Sequence, residues 1–135
     1  MDNFIKIWKA DHQYILQAFD RLGEAAVGSP DWRSELFEIR DRIVNHLKME
    51  DARLYPFFRT KAKDDPRVQC IIDLFEQEMI EISKQAVAFF GKYEQSRDLD
   101  DFISDFKTVS AALQKRIWSE ENVLLEEYRR IAEKA

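Results

Sequence analysis

The chain has 135 residues, a formal net charge of −5, 45% hydrophobic and 35% charged residues, and only three glycines and three prolines. This composition excludes a disordered or all-β chain, and the acidic balance excludes a general nucleic-acid or anionic-membrane surface, since both need clustered Lys and Arg. The length predicts a single domain over 1–135, with one sizeable core that requires no disulfide.

The first predicted helix is capped by Asp2, has its seam at Ile5, Trp8, His12, Ile15, Phe19 and Leu22, and runs to about Val27. Charges interrupt its first apolar stretch, MDNFIKIWKADH, so neither a signal peptide nor a membrane span is expected, and the expected location is the cytoplasm. Gly28 suits a C-terminal cap, and Ser29-Pro30 opens a second helix with Ser as N-cap and Pro at its first position. Its seam is Trp32, Leu36, Ile39, Ile43, His46, Glu50, Leu54 and Phe57, and Pro56 should kink or end it, leaving Phe57 and Phe58 in a last turn. After a loop at Lys61-Ala62-Lys63-Asp64, Asp65-Pro66 repeats the cap-then-proline start. The third helix then carries Val68, Ile72, Phe75, Met79, Ile82, Ala86, Phe89 and Tyr93, with the lone Cys70 off this seam. Asp98, with Asp101 three residues on, gives a box-like start to a fourth helix with its seam at Phe102, Phe106, Val109, Leu113, Arg116, Glu120, Leu124 and Ile131. Four long amphipathic helices joined by short loops predict an all-α, up-down-up-down four-helix bundle.

Within the second seam, His46 and Glu50 stand four residues apart on one face, where the pattern points both at the core. Burying such a pair costs several kcal/mol, on the order of the price of any unsatisfied polar group, unless a partner such as a metal ion satisfies it. The four seams also repeat: helix 1 aligns with helix 3 (Trp8 with Phe75, His12 with Met79) and helix 2 with helix 4 (His46 with Arg116, Glu50 with Glu120). The bundle should therefore have an approximate two-fold axis, with the polar interruptions meeting near its middle.

These residues resemble the hemerythrin-like, or HHE cation-binding, domains. The matching signature is Asp11-His12, then His46-x-x-x-Glu50 followed by Asp51, Leu54, Tyr55 and Pro56, echoed by Arg116-Ile-x-x-Glu120-Glu121-x-x-Leu124. The resemblance implies non-heme iron in the bundle core, with two metals bridged at the positions of Glu50 and Glu120 and with His12 and His46 completing one iron site. A second iron needs histidines where this chain has Met79 and Arg116, and the chain has only two histidines in all. A full di-iron centre is therefore not expected.

Two readings remain open at this level. In one, a single divalent ion, Fe(II), Zn(II) or Mn(II), binds His12, His46, Glu50 and Glu120, with the fixed charge of Arg116 replacing the second metal. In the other there is no metal, and Arg116 and the histidines pair with the glutamates in a buried network that sets register. Arg116 alone also suits a snorkelling side chain, and Glu120 a solvated charge run with Ser119, Glu121 and Asn122. Asp11 reads as an orienting or surface group.

The first reading implies a metal-binding protein, sensing or regulatory rather than enzymatic, with O2 or NO as a ligand. The second implies a protein-interaction module, because Arg116, Glu120 and Glu121 also resemble the helix-4 site of bacterial anti-sigma regulators, which look like degenerate hemerythrins. Phe37, Leu74, Val87 and Phe90 either broaden the core or form a homodimer face.

Overall fold

A computed structural model describes residues 2–134, with side chains over 3–133. Every described regular element is helical, and the helices form four antiparallel rods. The first, α1, is Asp2–Glu24; the expected side-chain cap at Asp2 lies outside the described residues. The second, α2, runs as Pro30–Met49, passes through a π-helical turn at Glu50–Leu54 and continues as Tyr55–Lys61. The third, α3, is Pro66–Gln95, and the fourth, α4, is built like α2: Phe102–Ser119, a π-helical turn at Glu120–Leu124, then Leu125–Lys134. Each rod packs on two others in the cyclic order α1, α2, α3, α4, which is the predicted bundle.

Two of the predicted starts are in place for the predicted reason. The Ser29 hydroxyl accepts from the Trp32 amide at 3.1 Å, and the Asp65 carboxylate accepts from the Val68 amide at 3.2 Å, each with proline at the first helical position. Gly28 takes φ +85°, a left-handed conformation that glycine adopts without a Cβ penalty. The fourth start differs: α4 opens at Phe102, because Asp98 turns inward on its own loop and accepts from the Asp100 amide at 3.1 Å. Helix α1 likewise ends at Glu24, before the expected Val27.

Pro56 was expected to kink or end the rod, with the loop from Lys61. The rod does not stop there but continues to Lys61, because the turn before the proline is already widened: the Tyr55 amide bonds the Glu50 carbonyl, five residues back. The same device recurs in α4, where the Leu125 amide bonds the Glu120 carbonyl although no proline follows. Both turns open on a glutamate followed by a second acidic residue and close on a leucine. Leu54 and Leu124 are buried as expected, but one extra residue per turn shifts the stripe beside and beyond them: Tyr55 and Phe58 enter the core where Phe57 was expected, and Leu125 and Tyr128 do so in α4, leaving Ile131 half-buried. This parallel supports the repeat read from the seams.

The core falls into two apolar clusters. One gathers Phe19, Leu22, Trp32, Leu36, Ile39, Phe89, Tyr93 and Phe102; the other gathers Trp8, Phe58, Val68, Ile72, Phe75, Met79, Leu124 and Tyr128. Each large side chain removed from water contributes about 1.5–3 kcal/mol. Between the clusters lie His12, His46, Glu50, Arg116 and Glu120, all buried. Phe90 joins the first cluster, whereas Phe37, Leu74 and Val87 remain exposed, as does Cys70. Among the described residues, no helix is long and apolar enough to cross a membrane.

Candidate metal centre

One side chain from α1, two from α2 and one from α4 meet at the middle of the bundle. His12 and Glu50 are completely buried, and His46 and Glu120 nearly so. Their ligating atoms all lie within 4.8 Å of one another. His12 Nε2 and His46 Nε2 are 3.1 Å apart; His46 Nε2 is 3.7 Å from Glu50 Oε1, and His12 Nε2 is 3.8 Å from Glu120 Oε2. Among the described residues, those same two carboxylate oxygens are buried without a hydrogen-bond partner.

The outer edges of the four groups are all engaged. His46 Nδ1 faces Asp11 Oδ2 and His12 Nδ1 faces Glu121 Oε2, each at 3.3 Å. A carboxylate that is ionised can only accept, so a neutral ring donating from Nδ1 turns its Nε2 lone pair inward, whereas the 3.1 Å contact between the two Nε2 atoms is a hydrogen bond when one of them carries the proton. The Trp8 indole donates to Glu50 Oε2 at 3.1 Å, and Arg116 Nε stands 3.7 Å from Glu120 Oε1. Two imidazole Nε2 atoms and two unpartnered carboxylate oxygens thus converge on one point. Without a cation, a proton held on Glu120 and the contact between the two Nε2 atoms relieve part of their repulsion; a cation among them engages all four at once. Two nitrogens and two oxygens are a donor set suited to Zn(II), Fe(II) or Mn(II).

Electrostatics favour the ligating form of the first imidazole. Burial, followed by the charges of His46, Arg116 and Lys9, lowers the His12 pKa to about 3, so the ring is neutral at ordinary pH. Burial and the neighbouring Glu50 carboxylate push the Glu120 carboxyl well above its usual range, which is the expected state of an acid beside another acid before a cation arrives.

Arg116 does not snorkel. Its guanidinium is buried over the Phe75 ring, 4.7 Å from the centroid, and donates to the Tyr55 hydroxyl at 2.6 Å and to Glu78 at 3.3 Å. Met79, the counterpart of His12, lies buried in the apolar cluster with Phe75.

A family model, the hemerythrin HHE cation binding domain, matches residues 3–128. The chain belongs to this family. No curated protein and no solved structure matches it significantly. Domains of the HHE family bind metal ions, and in this HHE domain the buried His/Glu group is where an ion can be held.

The structure brings together His12, His46, Glu50 and Glu120, all four singled out in the sequence, and sets Asp11 against His46 Nδ1. Three contributors to this HHE site were not anticipated. Glu121 had the look of surface charge beside Glu120, but its place within the π-turn brings it against His12. Trp8 sits four residues before His12 on the same stripe, a spacing that signals contact, yet its bulk read only as packing. The partnership of Tyr55 with Arg116 spans two helices and leaves no local signal.

Proposed function

We propose that this hemerythrin-like domain holds one non-heme divalent ion, iron or zinc, through His12, His46, Glu50 and Glu120, and that it serves in binding or sensing rather than catalysis. The reading rests on the convergence of two imidazole Nε2 atoms with two buried, unpartnered carboxylate oxygens. In the metal-free network of the second reading, Arg116 would be the permanent cation against both glutamates, with the histidines beside them. Instead it reaches Glu120 on the far oxygen, and Glu50 takes its outer contact from Trp8.

An ion held there supplies a Lewis-acidic centre able to take a small ligand such as O2 or NO. The protein's own part is to hold it: Asp11 and Glu121 fix the imidazole tautomers, Trp8 and Arg116 fix the carboxylates, and the two apolar clusters keep water away.

Elemental analysis of protein purified without an affinity tag or added metal is the test. About one metal per chain is expected, lost in His46→Ala. Absence of metal after anaerobic reconstitution with Fe(II) and Zn(II) would overturn the reading and leave Arg116 as the resident cation of a protein-interaction module.

A further inference from the structure

The two glutamates at the centre are not simply present; each is divided. Glu50 has its Oε2 engaged by the Trp8 indole at 3.1 Å and its Oε1 unpartnered, facing His46. Glu120 has its Oε1 beside Arg116 and its Oε2 unpartnered, facing His12. A carboxylate with both oxygens available can clasp one ion through two atoms or reach a second ion. An oxygen that accepts an N–H bond is the poorer donor to an ion, so the free oxygen is the preferred one.

We infer that Trp8 is a specificity-determining residue of the metal centre, its indole N–H engaging Glu50 Oε2 and leaving Oε1 as the preferred donor oxygen. The inference rests on the metal-binding reading above and adds to it a reason for a single, compact ion. Single-atom carboxylate donors beside two imidazoles suit small ions such as Zn(II), whereas Ca(II) prefers six to eight oxygens and often a two-oxygen clasp. Trp8 is fully buried, and its ring centroid is 4.6 Å from that of His12, so its placement is set by the same packing that sets the ligand. It is a positioning residue: it acts on the ion only through Glu50.

Trp32 provides the matched control. It is also fully buried, lies in the other apolar cluster, and its indole nitrogen has no hydrogen-bond partner among the described residues. Trp8→Phe and Trp32→Phe therefore make the same truncation in the full-length protein, but only the first removes a bond to a ligand. Zn(II) and Ca(II) affinities of the two variants and the wild type would be measured by competition with a chromophoric chelator, with circular dichroism confirming the helical fold. Trp8→Phe should bind Zn(II) about 10–100-fold more weakly than Trp32→Phe, the range seen when outer partners of metal ligands are removed, and its preference for Zn(II) over Ca(II) should narrow. Should Trp8→Phe not fold, the wild-type indole resonances decide: in the Zn(II)-loaded protein the Trp8 Nε1–H should lie downfield of that of Trp32 and exchange slowly.

Equal Zn(II) affinity and selectivity in the two variants, or coincident indole resonances, would overturn the inference while leaving the metal site standing. Failure of the wild type itself to bind Zn(II) or Fe(II) would overturn both.

Discussion

Replacing Arg116 by Leu tests whether the guanidinium is the built-in cation of this core. The Glu120 carboxylate, 2% exposed, would lose the positive charge 3.7 Å away, and the buried Tyr55 hydroxyl would lose its 2.6 Å donor. Breaking a buried pair from one side costs about 3–5 kcal/mol, and an orphaned buried polar group about 1–3 kcal/mol. The pair with Glu78 adds little, because that side chain is 63% exposed and such pairs contribute under about 1 kcal/mol. The two larger effects overlap, and Glu120, already raised by burial and by Glu50, can escape part of the cost by taking a proton. The expected loss is therefore about 3–5 kcal/mol, read from urea unfolding followed by far-ultraviolet circular dichroism at pH 7 in the presence of a chelator. In Arg116→Leu/Glu120→Gln most of it should return, since the uncompensated charge is gone. A loss below about 1 kcal/mol, or no recovery in the double variant, would refute the assignment of Arg116 as the compensating cation.

Asp11→Asn and Glu121→Gln should each weaken Zn(II) binding by about 10–100-fold without abolishing it, because each loosens an imidazole rather than removing a donor; chelator competition measures this. In the metal-free protein, His12 binds its proton less readily folded (about 3) than unfolded (about 6.5), so its contribution to stability falls as pH drops from about 6.5 to about 3. Glu120 has the opposite sign: its raised carboxyl makes stability fall as pH rises from its unfolded value near 4.5 toward the folded one. Urea midpoints should therefore show a shallower acid limb below pH 4.5 in His12→Gln than in the wild type, and a flatter response above pH 4.5 in Glu120→Gln. Gly28→Ala, which forces a Cβ into φ +85° with Leu99 Cδ1 at 3.1 Å, should lower stability by about 1–2 kcal/mol in the same unfolding assay.

The bundle was legible because each helix carries its apolar residues at steps of three and four, and because Ser29-Pro30 and Asp65-Pro66 are start signals with a local mechanism. His12, His46, Glu50 and Glu120 were legible for a related reason: a polar residue on an apolar seam has to be satisfied by something. What the pattern could not carry was the phase change at Glu50 and Glu120. A helical period assumes one uniform twist, so Phe57 was placed inward where the widened turn brings in Tyr55 and Phe58. The outer contacts of Trp8, Glu121 and Arg116 depend on how separate helices face one another, which no single helix encodes.

The paired π-turns also make the molecule intolerant of a particular kind of change. In a uniform helix a lost residue turns everything beyond it by about 100°, and a surface helix can sometimes absorb this by sliding. Here the surplus residue at 50–54 and again at 120–124 is what lets Glu50 and Glu120 face the centre while Phe58 and Tyr128, further along the same rods, face the apolar cluster beyond. Deleting Ala52 or Val123, both outward-facing and individually unremarkable as substitutions, would close a π-turn into an α-turn and set the carboxylate and the distal core at odds. Positions that tolerate almost any side chain would thus not tolerate being absent: in these two turns the number of residues is itself a specified quantity.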